Sequence, residues 1–367
     1  MTIISMLTIL VFILILSILV LVHEAGHYFM ARWAGMTVEE FGIGFPPKLI
    51  GKKDKRGTLW SINAIPLGGF VRIKGEGGDE KERFSPGAFA TKSIPWRFGV
   101  LVGGVVMNMV AAWALFSLGF AIGLPSLLEG SPVDESLISK RTISIVEVLK
   151  ESPAEAAGML PGDEVVAIDG EEFTSGEAAR EALAPNEDGS PLVFTLERAG
   201  EEVIAEVSPA YIEELEKEGV GIALVETGTV RYPWYQAPIV GAQTTAGMTV
   251  AVVGGFWGLL TGIFSQEEVI AQLSGPVGIA SLTGQVLDLG AIHMVQFAAM
   301  LSVNLAVLNI LPFPALDGGR ILFLFIEAVR RKPLTARFEQ SVHGIGFALL
   351  LLLVLFVTYQ DIVRLGS

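Results

Sequence analysis

The chain has 367 residues, 51% hydrophobic and 17% charged, with 25 Lys+Arg against 39 Asp+Glu, a net charge of −14, and no cysteine. A soluble globular domain carries roughly 25% charged residues, so the composition excludes an ordinary soluble domain, and it excludes disorder as well. The acidic balance argues against nucleic acid as a partner, and the missing cysteines exclude disulfides, Cys-ligated zinc and thiol catalysis.

Five stretches without Asp, Glu, Lys or Arg begin at Met1, Phe98, Tyr232, Leu289 and Gln340. Each is long enough for a membrane span of ~20 residues. The first lacks the basic start and small-residue cleavage site of a signal peptide, and it runs directly into His23-Glu24-Ala25-Gly26-His27. Between the first two stretches, Arg32–Arg97 carries a net charge of +5, whereas Leu124–Pro238 carries −17. The positive-inside rule puts the basic loop in the cytoplasm. The acidic block reads as a solvated domain on the other side.

His23-Glu24-Ala25-Gly26-His27 matches H-E-x-x-H. On a helix, positions i and i+4 share a face, so His23 and His27 can hold one metal with Glu24 beside it as general base. Ionisable residues inside a span are costly and usually functional. His293 lies 24 residues before Asp317, about 36 Å away along a helix, so the two cannot both reach that metal. Asp317 follows a proline-broken stretch, Asn309-Ile-Leu-Pro-Phe-Pro-Ala-Leu, at the end of an apolar span. Broken backbone at membrane depth is tolerated mainly where it lines a cavity. Asp317 is therefore the expected third ligand, with His343 the runner-up. Two histidines and an aspartate with an open fourth position suit catalytic zinc.

In the basic loop, Thr58–Ile73 reads as a hairpin turned over Pro66-Leu67-Gly68-Gly69. Its free edge is a candidate for pairing with a substrate backbone by strand addition. Residues 141–209 read as a small α+β domain. Strands are expected at Thr142–Leu149, Val165–Ile168, Leu192–Glu197 and Glu202–Val207, with a helix over Ser175–Leu183. The Ser-Pro-Ala-x-x-Ala-Gly-x-x-Pro-Gly-Asp pattern from Ser152 to Asp163 is similar to bacterial PDZ domains, which take an extended peptide as an added strand.

Parity then limits the spans. Asp317 must reach the metal beside His23, which requires 292–314 to run inward from the outer face. The stretch 238–264 then cannot cross, and its Gln, Thr and Gly content suits an amphipathic helix lying on the outer surface. Four spans remain, with both termini outside.

These motifs resemble the site-2 protease family of intramembrane zinc metalloproteases, nearest its bacterial regulator-of-sigma-E branch. The resemblance rests on HEAGH at 23–27, FGIGFPPKL at 41–49, IPLGGFVRIKGE at 65–76, LSGPVGIA at 273–280 and NILPFPALDGGR at 309–320. It implies zinc on His23, His27 and Asp317, Glu24 as catalytic acid/base, and Asn309 as a holder of substrate backbone. It also implies that the 58–73 hairpin dips into the membrane boundary. Two departures stand out. Gly104-Val105-Val106-Met107-Asn108 lacks the family's usual proline, and one PDZ domain is found where the nearest branch usually has two.

The expected architecture is thus a polytopic α-helical membrane protein. Residues 1–123 form a first membrane pair with the HExxH helix and the cytoplasmic β-hairpin. An extracytoplasmic PDZ domain follows at 141–209, then a non-spanning segment at 232–288 and a second membrane pair at 289–367. The expected function is an intramembrane zinc endopeptidase of a bacterial plasma membrane, with its active site toward the cytoplasm. Its substrates would be single-span membrane proteins, which the resemblance narrows to anti-sigma factors and signal-peptide remnants, and the PDZ groove could take a peptide. A catalytically silent PDZ scaffold would not need Glu24, and a metal transporter would spread polar residues through several spans.

Overall fold

The computed structural model describes residues 5–76, 80–128, 134–173, 175–184, 186, 190–198, 200–212, 217–262 and 275–366. The LSGPVGIA motif is therefore described from Gly275 on. The chain divides into two compact units, one of residues 1–119 with 235–367, the other of 120–234.

The first unit is built from α1 (Met6–Trp33), α2 (Ile94–Ile122), α3 (Ala237–Gly262), α4 (Pro276–Leu289), α5 (Ala291–Ile310), α6 (Asp317–Arg330) and α7 (Ala336–Gly366). All but α4 and α6 contain a segment long and apolar enough to cross a membrane. Helices suit such sequences because every backbone group is satisfied within the segment. Large apolar side chains point outward along them, Leu14 and Leu352 among them, as expected where the surrounding solvent is lipid.

α1 and α2 meet at glycine. A Cβ on Gly26 would lie 2.1 Å from the Gly103 carbonyl oxygen, so the two backbones touch where any larger residue would separate them. α2 runs unbroken through Val105, where the family's usual proline is missing.

Between α1 and α2 lie β1 (Val38–Lys53) and β2 (Leu59–Ile73). The expected hairpin within Thr58–Ile73 is corrected here. Its two halves do not pair with each other. Gly42 lies opposite both Phe70 and Ser61, and Ile43 opposite both Gly69 and Ile62, so the start of β1 is sandwiched between the halves of β2. The second half of β1, Lys48–Lys53, pairs with Asn63–Leu59 on the far side. Gly69–Ile73 is thus one outer strand of the sheet.

The helix expected over 238–264 is present as α3 and packs on α2. Trp113 Nε1 donates to the Pro238 carbonyl at 2.8 Å, and Thr249 Oγ1 lies 3.6 Å from Met109 Sδ. A Cβ on Gly241 would strike Ser117. α3 therefore runs antiparallel beside α2, down to the level of Asn108. By Gly275 the chain is back at the end where α1 starts and α7 stops. Asp361 of α7 accepts the Gly275 and Gly278 amides at 3.2 and 2.8 Å, and Gly284 of α4 packs on Thr8.

The second unit contains β3 (Leu124–Leu127), β4 (Ile138–Val148), β5 (Glu164–Ile168), β6 (Leu192–Arg198), β7 (Glu201–Val207) and β8 (Ile222–Val230), with a short helix at Gly176–Glu181. They form one sheet in the order β3-β8-β4-β5-β6-β7. Alternating residues, Ile143 and Ile145 on β4 and Leu192, Phe194 and Leu196 on β6, make its core with Met159 and Val207. Every strand expected within 141–209 is present. The sheet also recruits β3 and β8 from outside those bounds, and β8 lies between β3 and β4.

Candidate metal centre

Helical periodicity puts His23 and His27 on one face of α1, and both are buried. Asp317 arrives from 294 residues away through the break between α5 and α6. After Ile310 the chain folds back through Phe313, Pro314 and Ala315, the last at φ +84°. Cβ atoms on Gly318 and Gly319 would lie 2.0 Å from the Leu311 oxygen and 2.4 Å from the Phe313 oxygen. Only glycine allows that reversal, and it delivers Asp317 as the first residue of α6.

The three side chains converge. Asp317 Oδ2 is 2.9 Å from His23 Nε2 and 3.2 Å from His27 Nε2, and the two Nε2 atoms are 3.1 Å apart. Tetrahedral zinc with bonds of about 2.0–2.1 Å requires donor–donor edges of roughly 3.3 Å, so the set fits that ion. A Cβ on Gly104 would lie 2.5 Å from His27 Nε2 and 2.7 Å from His23 Nε2. The bare glycine backbone keeps this space clear.

Both imidazoles are oriented from behind. His27 Nδ1 donates to the Val100 carbonyl at 2.8 Å. Asn108, fully buried, has its amide 3.3 Å from His23 Nδ1, and its Oδ1 has no partner among the described residues. Turned end for end, that amide accepts the His23 Nδ1–H through Oδ1 and leaves the Nε2 lone pair for a metal. Asn108 and Val100 were not assigned from sequence. A backbone carbonyl leaves no trace there, and Asn108 was noted only as part of a motif.

Glu24 Oε2 accepts the Val71 N–H of β2 at 2.8 Å. His343, the runner-up ligand, is turned elsewhere. Its Nδ1 accepts the Ala315 N–H at 2.9 Å and so supports the break before Asp317. Asn309 lies near the end of α5, half-buried. His293 starts α5, a whole helix away. Ion pairs anchor α6 and α7. Arg97 meets Glu327 through two bonds of 3.0 and 2.5 Å, Arg83 meets Glu339 at 2.9 Å, and Arg320, one turn past Asp317, meets Glu76 just after β2.

Comparison with known proteins adds to this geometry. The profile of peptidase family M50 matches residues 11–353. A protein of Agrobacterium fabrum carrying a zinc-metalloprotease name is 35% identical over 374 residues, covering 96% of this chain and 94% of that one. The zinc metalloprotease RasP of Geobacillus kaustophilus is 32% identical, covering 96% of each chain. The regulator of sigma-W protease RasP of Bacillus subtilis is 29% identical, covering 98% of this chain and 99% of that one. Among solved structures, the PDZ domain of an SdrC-like protein from Listeria innocua covers 23% of this chain and 92% of its own, at 20% identity and a TM-score of 0.21.

Proposed function

The chain belongs to peptidase family M50 and is a membrane zinc metalloprotease; from that premise we propose that His23, His27 and Asp317 hold the zinc and Glu24 is the catalytic acid/base. The observation that carries this reading is the convergence of three ligand atoms within 3.2 Å from segments 294 residues apart. Zinc held by these three residues would lower the pKa of a water to about 7 and polarise the scissile carbonyl. Glu24 takes the proton from the attacking water and returns it to the leaving amine. Asn108 and the Val100 carbonyl hold the imidazoles in the tautomer that leaves each Nε2 free.

A peptide inside a helix has its carbonyls committed to i+4 amides, so the substrate must be drawn out into extended form. The outer strand Gly69–Ile73 is the surface for that by strand addition, with Asn309 holding the opposite side of the substrate backbone. The substrates are single-span membrane proteins cut in or near their spans. The sigma-W name of the Bacillus relative supports an anti-sigma factor among them.

For topology, α1, α2, α5 and α7 cross the plasma membrane and α3 does not. The basic loop then faces the cytoplasm, on the side toward which the active site opens, and both termini lie outside. Residues 120–234 form one extracytoplasmic PDZ domain, a reading supported by the Ser152–Asp163 pattern and by strands at the positions it requires. Cleavage of labelled single-span peptides by wild type and Glu24→Gln tests the core of this reading. The variant should keep its zinc and lose about 10²–10⁴ in rate. Cleavage near the wild-type rate would remove Glu24 from the mechanism.

A further inference from the structure

Strand edges expose unpaired N–H and C=O groups, and at membrane depth no water is present to satisfy them. The outer strand of β2 therefore needs a partner even with no substrate bound, and α1 supplies it. The Gly68 N–H donates to Ser17 Oγ at 3.1 Å, the Ser17 hydroxyl donates to the Pro66 carbonyl at 3.0 Å, and the Val71 N–H donates to Glu24 Oε2 at 2.8 Å. Between these points Cβ atoms on Gly68 and Gly69 would lie 2.9 Å from Val20 and 2.6 Å from Leu21. Ser17, Val20, Leu21 and Glu24 share one face of α1 at i, i+3, i+4 and i+7 spacing. The edge that the strand-addition reading offers to substrate is thus closed against the HEAGH helix, and one of its two fastenings is the general base.

We propose that Ser17 is a gating residue. It holds the Pro66–Val71 edge shut on α1 in the resting enzyme, and a substrate strand enters by taking over the backbone bonds that Ser17 and Glu24 now make. Occupying the edge and freeing the Glu24 carboxylate for the reacting water are then one event. This rests on the strand-addition reading above. A side-chain hydroxyl and a carboxylate can release these groups, whereas a full strand partner could not do so without unzipping a ladder. Ser17 lies on the shared face of α1 but touches none of the three metal ligands.

The test uses zinc-loaded full-length protein in lipid nanodiscs, comparing wild type, Ser17→Ala and Ser17→Thr, which keeps a hydroxyl. Amide hydrogen exchange over 66–72 reports closure, and cleavage of a labelled single-span peptide gives KM and kcat separately. Losing two modest hydrogen bonds should speed exchange by about tenfold. With zinc content and kcat unchanged, Ser17→Ala should lower KM, and Ser17→Thr should behave as wild type. A higher KM or lower kcat in Ser17→Ala would mean that the contact supports the strand rather than closing it, and would overturn the proposal. Substrate added to the Glu24→Gln variant separates the two ideas. If it protects 66–72 while Ser17→Ala leaves KM unchanged, the gate fails and strand addition stands. If it gives no protection, both fail.

Discussion

Gly104→Ala should weaken zinc binding by at least about 100-fold while leaving the fold intact. A Cβ there would lie 2.5 Å from His27 Nε2, 2.6 Å from His23 Cε1 and 2.7 Å from His23 Nε2. An ordinary carbon contact is about 3.5 Å or more, so both rings would have to retreat by roughly 0.8–1.0 Å. Metal–ligand distances tolerate only about 0.2 Å. Neither ring is free to move, because His27 is tied to Val100 and His23 lies against the buried Asn108. Losing a single outer partner typically costs about 10–100-fold in affinity. Displacing two ligands together should cost at least about 100-fold, or about 2.7 kcal/mol. Alanine is favoured over glycine inside a helix by about 1 kcal/mol, so α2 itself should not weaken. The assay is metal content by mass spectrometry together with circular dichroism. Gly99→Ala is the control, because a Cβ there meets only the flexible end of Met30. Full zinc occupancy and normal cleavage in Gly104→Ala would refute the assignment of this space to the metal.

Asp317→Asn should lose zinc and activity together, whereas His343→Ala should keep zinc but unfold at a lower temperature, since it loses the bond to Ala315; metal analysis and thermal unfolding separate the two. In the second unit, the Asp163 carboxylate is fully buried, which alone would raise its pKa, but bonds from Arg198 and the Leu160 N–H hold it below the usual carboxylate range. A depressed native pKa gives stability that is present above the unfolded value of about 3.9 and is lost as pH falls through the native value. Asp163→Asn should therefore cost about 2 kcal/mol at pH 7, and the gap should close below about pH 4, measured by urea unfolding of a 120–234 fragment. A gap independent of pH would assign the loss to packing instead.

The meeting of His23, His27 and Asp317 was legible because its signals are local. HEAGH declares its geometry through the helical period alone, and the two prolines before Asp317 announce a break where an acid can face inward. What could not be read depends on partners far away in sequence. Thr58–Ile73 has the alternation and turn of a hairpin, yet Glu40–Ile43 lies between its halves, and no feature within 58–73 reports that competitor. β8 lies outside the expected domain bounds, and its partner β4 is more than 70 residues away in sequence. The polar residues of α3 suggested a surface helix. In the structure Thr245 donates to Gly241 and Thr249 to Thr245, each at 2.7 Å. A threonine that satisfies its hydroxyl on its own helix adds little polarity outward, so composition alone does not separate a helix lying on a membrane from one entering it.

The same accounting of backbone groups explains why the site combines a helix with a sheet. A metal needs ligands held rigidly, and α1 carries two of the proposed ones, His23 and His27, with the glycine contact between Gly26 and Gly103 pressing α2 against it. A substrate backbone needs open hydrogen-bonding groups, which a helix cannot offer because it spends them internally. Only a strand edge can, and in lipid an edge is costly to leave open. Lodging that edge against α1 at Ser17 and Glu24 meets both demands. On the proposed reading, the groups that would bind substrate are satisfied at rest by Ser17 and by Glu24, the residue to which the acid/base role is assigned.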